Sequence, residues 1–103
     1  DKMEYQSLKA VFGDAIHSIP VSSNKSMIGH TLIAAGGVEA VFSVKTLMTG
    51  VLPPTMNYDL PDPAIPLGVG ATKSRPAKVG AVLSNSFGFG GQNVCAVFSA
   101  ERA

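Results

Sequence analysis

The sequence predicts an α/β layered fold: a mixed sheet with helices packed on it, ending in an antiparallel hairpin. Helical periodicity in two segments, a middle rich in Pro and Gly, and two β-rich runs flanking a Gly-rich turn predict it together. Residues 1–12 read as the first helix. Tyr5, Leu8 and Phe12 recur at helical spacing, Val11 widens the stripe, and Gly13 is a natural stop. Asp1, with Glu4 three residues on, resembles a capping box. Ile16 to Ser22 is a short apolar run split by Pro20, and reads as an edge-like strand leading into a loop.

From Gly29 to Thr49 a second helix is predicted. Ile33, Gly37, Ala40, Val41, Val44, Leu47 and Met48 trace one wide apolar face, and Gly50 follows as the cap. Gly36 and Gly37 lie inside it, each costing about 1 kcal/mol against Ala, which close approach of another backbone would offset. Between residues 51 and 77, Pro53, Pro54, Pro61, Pro63, Pro66, Gly68, Gly70 and Pro76 leave room only for an ordered loop or a lid. Lys78–Leu83 and Asn93–Ser99 then read as paired strands, with Ser84–Gln92 as the turn between them.

Composition bounds the function classes. At 103 residues the chain holds at most one domain, and 46% hydrophobic content excludes a disordered or fibrous one. Eight basic against seven acidic residues, a net charge of +1, leave no electrostatic footprint for nucleic acid or a membrane surface. A single cysteine, Cys95, allows neither an internal disulfide nor a four-ligand zinc site. The apolar stretches are interrupted before the ~20 residues of a spanning helix, and no signal peptide opens the chain. A cytoplasmic, reducing setting is the expectation. The charged fraction, 15%, is low beside the ~25% typical of a free-standing domain. With Asp1 rather than Met at the start, this leads us to expect a segment that buries much of its surface in something larger.

Two stretches could carry chemistry. Lys25-Ser26-Met27-Ile28-Gly29-His30 places His30 at the start of the second predicted helix, where the helix dipole disfavours positive charge. A neutral imidazole there can donate a hydrogen bond to a carbonyl or enolate oxygen, although a structural histidine is the commoner case. Phe87-Gly88-Phe89-Gly90-Gly91 allows positive φ and exposed backbone N–H groups of the oxyanion-hole kind. On pattern alone the plainer reading is a hairpin turn with two core phenylalanines. Cys95 reads as a buried core thiol, His17 as a surface or edge histidine, and Asp59 and Asp62 as turn formers. No nucleophile elbow, metal pair or carboxylate dyad is visible.

Taken together, the runs Asn24–His30, Ala34–Ala40, Gly50–Thr55 and Ser84–Gly91 resemble the C-terminal part of the β-ketoacyl-acyl-carrier-protein synthases, condensing enzymes of thiolase fold. The Leu52-Pro53-Pro54-Thr55 form looks more like the type II synthases. The resemblance implies a thiolase-like layered fold and a decarboxylating Claisen condensation in fatty-acid elongation. It implies acyl carrier protein as partner, a homodimer of the whole enzyme, and no cofactor.

Residue by residue, His30 matches the family's second catalytic histidine and Lys25 its active-site lysine. Glu4 matches a carboxylate that pairs with that lysine, Asp1 its acidic companion, and Phe87 the gating phenylalanine. Glu39, Ser84 and Asn85 match a structural cation site of some members. The nucleophilic cysteine and first histidine belong to earlier parts of such enzymes and are not among these residues. The resemblance therefore implies a trailing third or quarter of a condensing enzyme, inactive alone. Ile33, where glycine is commoner, and Gln92, where Thr is frequent, depart from the pattern away from the catalytic positions. A non-catalytic partner of the chain-length-factor kind and a polyketide-type ketosynthase are the alternatives.

Overall fold

In the computed structural model, which describes residues 2–58, 60, 62–69 and 74–100, the first helix α1 spans Lys2–Phe12. It stops at Gly13, whose φ of +62° no residue with a Cβ adopts easily. Asp1, the other half of the expected capping pair, lies outside the described residues. Tyr5 on α1 is buried, while Val11 stays exposed.

The predicted strand from Ile16 to Ser22 shrinks to β1, Pro20–Val21. The preceding residues, Gly13–His17, form a 3-10 turn, extended by the Ser18 N–H donating to the Ala15 carbonyl at 3.0 Å. Ile16 buries its side chain from that turn, to 1% exposure, the deepest in the core.

The long second helix is also shorter than predicted. A separate one-turn helix α2, Lys25–Ile28, precedes it; its own first part is replaced by a 3-10 turn, Leu32–Ala34, and the helix α3 proper spans Ala35–Thr49. Left-handed backbone breaks it, at Gly29 (φ +76°) and Leu32 (φ +55°), because neither conformation propagates a right-handed helix. Gly50 ends α3 as predicted, at φ +68°, with its N–H donating to the Thr46 carbonyl at 2.9 Å.

Pairing is mixed, as expected, but among the described residues it is divided over three two-stranded sheets. β1 pairs in parallel with β3, Gly68–Val69, and β2, Val51–Leu52, pairs antiparallel with β4, Arg75–Pro76. The middle segment thus holds short bridges within its loops. Asp62 forms a turn there, accepting the Ala64 N–H at 2.9 Å, while Asp59 lies outside the described residues.

The hairpin is longer than predicted. β5 covers Ala81–Gly88 and β6 covers Gln92–Ser99, with register from Ala81↔Ser99 to Gly88↔Gln92. Ser84–Gly88 therefore belongs to a strand. Only Phe89, Gly90 and Gly91 remain as the turn, and Gly90 (φ +86°) and Gly91 (φ +81°) carry its reversal.

α3 packs against β5, where a Cβ on Gly36 would sit 3.9 Å from Ser86 Oγ. The neighbour is a side-chain atom at ordinary contact distance and Gly37 faces open space, so the close backbone approach expected of the glycine pair is not what the structure shows. The buried side chains of α3 are Ser43 and Thr46, with hydroxyls donating to the Glu39 and Phe42 carbonyls at 2.9 Å each. The apolar face instead stays open: Val41 is 63% exposed and Met48 73%.

Residues Leu32–Thr49 make an 18-residue stretch of mean hydropathy 1.4, long and apolar enough by composition for a membrane span, contrary to the sequence expectation. The α-helical part is 15 residues, about 22 Å at 1.5 Å per residue against a ~30 Å hydrocarbon core, and it lies on the hairpin. Its geometry is that of a layer in a packed fold.

Candidate functional site

His30 stands in the break between α2 and α3, two residues past the end of α2 and five before α3 begins. The α3 dipole, whose effect falls off within a turn, is therefore not what sets its environment. A backbone contact does so instead. The Leu32 N–H donates to His30 Nδ1 at 2.9 Å. A neutral imidazole that accepts at Nδ1 carries its hydrogen on Nε2, so the ring presents one N–H donor outward from an exposed position.

Lys25 opens α2, and Gly29 closes it by donating its N–H to the Lys25 carbonyl at 2.8 Å. One turn thus sets Lys25 and His30 at opposite ends of a short, fixed segment. The lysine ammonium lies 3.5 Å from Glu39 Oε2 on α3; the lysine side chain is 44% exposed and the carboxylate 16%. Glu4, the partner expected from the resemblance, sits on α1 and does not make that ion pair. The pairing carboxylate comes from α3 instead. The signal for it was Glu39 itself, read above only as part of a cation site. Among the described residues no group of three or more His, Cys, Asp or Glu could hold a metal.

The loop is also tied to the middle segment. Ser26 Oγ accepts the Met56 N–H at 2.8 Å, and Thr55 Oγ1 accepts the Ser23 N–H at 2.9 Å. Thr55, the end of the Leu-Pro-Pro-Thr run, thereby anchors the approach to Lys25.

Phe87 sits inside the β5 ladder opposite Asn93, with its side chain 59% exposed. Phe89 stands at the turn, 103% exposed, between Gly88 and Gly90. Neither ring is in a core within this chain. Cys95, expected as a buried core thiol, is likewise exposed, opposite Asn85, on the side of the hairpin it shares with Leu83 and Phe87. His17, exposed as expected, donates from Nδ1 to the Pro66 carbonyl at 3.0 Å. Neither the groove beside His17 and Arg75 nor that between α3 and β6 includes His30 or Lys25, both of which are exposed.

Residues 1–59 match the family model described as beta-ketoacyl synthase, C-terminal domain. The chain belongs to the β-ketoacyl synthase family. It is 43% identical over 99 residues to 3-oxoacyl-[acyl-carrier-protein] synthase 2 of Coxiella burnetii, covering 96% of this chain and 24% of that protein. To nodulation protein E of Rhizobium sp. strain N33 it is 42% identical over 98 residues, covering 95% and 24%. Among solved structures, the ishigamide ketosynthase/chain length factor superposes with a TM-score of 0.93 at 32% identity, over 99% of this chain and 25% of that one. A type II polyketide ketosynthase, AntDE, in complex with its acyl-carrier protein AntF, gives 0.92 at 33%, over 95% and 24%. The fold is thus that of the C-terminal part of a ketosynthase. This chain spans about a quarter of the length of the relatives it matches.

Proposed function

We propose that this chain is the C-terminal part of a decarboxylating condensing enzyme, an acyltransferase that extends an acyl-enzyme thioester with malonyl-acyl carrier protein. In this reaction the acyl chain is held on a cysteine contributed by another part of the enzyme. The malonyl thioester loses CO2, and the enolate attacks the acyl carbonyl. His30 donates its Nε2–H to the malonyl thioester oxygen, where negative charge develops. The observation that carries this reading is the Leu32 N–H bond to Nδ1, which leaves Nε2 as an outward donor. Lys25, paired with Glu39, sets a fixed positive charge near the loop.

Fatty-acid elongation is preferred over polyketide synthesis because the relatives named 3-oxoacyl-[acyl-carrier-protein] synthase 2 reach 43% and 44% identity, against 32% and 33% for the polyketide-type structures. Acyl carrier protein is the proposed partner, as it is for the ketosynthase solved with one. A chain-length-factor-like subunit is the second reading, favoured by the solved ketosynthase/chain length factor. Retention of His30 and Lys25 argues against it, since a non-catalytic subunit has no chemical use for them.

The test is His30→Ala in the full-length enzyme. Malonyl decarboxylation should fall about 10²–10³-fold, the usual effect of losing one oxyanion donor, while acyl transfer to cysteine stays largely intact. Near-normal condensation rejects the assignment. For the gate, the resemblance points to Phe87, but Phe89 has the freedom a moving ring needs. Phe89→Ala should ease acyl loading and weaken malonyl selectivity more than Phe87→Ala does; the reverse order restores Phe87.

A further inference from the structure

α2 is a single turn, Lys25–Ile28, and a helix this short does not hold itself in water. None of its residues is buried, and Met27 and Ile28 are 38% and 45% exposed, so burial among the described residues does not fix it either. A closed ring of hydrogen bonds to the middle segment does. The Ser23 N–H donates to Thr55 Oγ1 at 2.9 Å. Ser26 Oγ donates to the Ser23 carbonyl at 2.8 Å and accepts the Met56 N–H at 2.8 Å. Thr55 and Met56 are neighbours in the chain, which closes the ring.

The arm that carries Thr55 is stiff. Gly50 takes the chain out of α3, and Val51–Leu52 pairs with Arg75–Pro76. Pro53 and Pro54 then hold their φ at about −65° up to Thr55, so the hydroxyl reaches Ser23 without ordering a free loop. The other tie on α2 is the ion pair of Lys25 with Glu39, at 3.5 Å. With the lysine side chain 44% exposed that pair contributes little, and the ring carries the larger share.

We propose that Ser26 and Thr55 are positioning residues. Their ring holds α2, and with it Lys25 at its first residue and His30 just past its end, in the arrangement the condensation uses. The proposal rests on the reading of His30 as the donor to the thioester oxygen, and its test separates the two.

In the full-length enzyme, Thr55→Val keeps the shape but removes the acceptor of the Ser23 N–H, and Ser26→Ala removes the hydroxyl that bonds Ser23 and Met56. Thr55→Ser keeps the hydroxyl. Hydrogen exchange of the Met27, Ile28 and Gly29 amides, which bond to the Asn24 and Lys25 carbonyls and not to the ring, reads the hold on α2. Malonyl decarboxylation is measured apart from acyl transfer. Thr55→Val and Ser26→Ala should each speed that exchange and lower kcat for decarboxylation about 10-fold, with KM and acyl transfer little changed, as for misplaced catalytic groups. Both substitutions open one ring, so the double variant should lose about as much as either single one and not the product of the two. Thr55→Ser should keep both the slow exchange and the rate. Unchanged exchange in folded Thr55→Val and Ser26→Ala, or multiplied losses in the double variant, overturns the proposal. If exchange speeds while decarboxylation holds, the ring still positions α2 and the donor role of His30 fails.

Discussion

The two faces of α3 differ in a way that reverses the usual rule for an amphipathic helix. The face turned to β5 carries Gly36, Ser43 and Thr46, small groups whose two hydroxyls are tied to carbonyls one turn back. The other face carries Val41, Val44 and Met48 and is left open. With Leu47, Val97 and Phe98, part of it lines a groove of about 540 Å³. The hairpin repeats the contrast. By strand alternation Ser84 and Ser86 share the side with Val82, while Leu83, Phe87, Cys95 and Val97 share the opposite, more exposed side. Contacts closed within this chain are thin and partly polar; the surfaces that remain open are apolar. An open apolar helix face of this size marks an interface. In a chain that spans a quarter of its relatives, the rest of a synthase is what would cover it.

Val41→Asp tests that contrast most severely. In the full-length enzyme a carboxylate placed on a covered apolar face should cost about 3–5 kcal/mol, the range for an uncompensated buried charge. In the isolated chain, where Val41 is 63% exposed, the same change should leave the helical content unchanged and weaken hydrophobic-dye binding. Chemical denaturation of the full-length enzyme reads the first effect, and circular dichroism with dye fluorescence of the isolated chain the second; a full-length cost within about 0.5 kcal/mol, as for a surface site, would mean that the face is free in the whole enzyme as well. Ser43→Leu probes the closed face with a smaller effect. It should cost about 1–3 kcal/mol in the full-length enzyme by overpacking against β5. A neutral result there would show that Ser43 is not closely packed.

Much of the fold was legible because glycine and proline act locally. Gly13 and Gly50 end their helices through a conformation that needs no distant partner, and the hairpin followed from two β-rich runs and Gly90-Gly91. The apolar stripe of α3 was legible as a pattern, but its side was not. Periodicity shows that a face exists; only packing shows that Ser43 and Thr46 take the inner position. The break at Leu32 was invisible, since leucine is a strong helix former and nothing in its neighbours announces positive φ. For the same reason His30 was placed on a helix start that lies five residues further on. Glu39 as the partner of Lys25 needed the path of the chain between them, fourteen residues with a break, which is a fact of three dimensions.

The most direct measurement is of the 103 residues expressed alone, compared with the same residues joined to or co-expressed with the rest of a full-length synthase. Hydrophobic-dye fluorescence and thermal melting are read on both. The isolated chain should bind dye, melt without a sharp transition and show no synthase activity, and the complete enzyme should lose the dye signal and melt cooperatively. A sharp cooperative melt of the isolated chain with no dye binding would contradict an interface on the open face of α3.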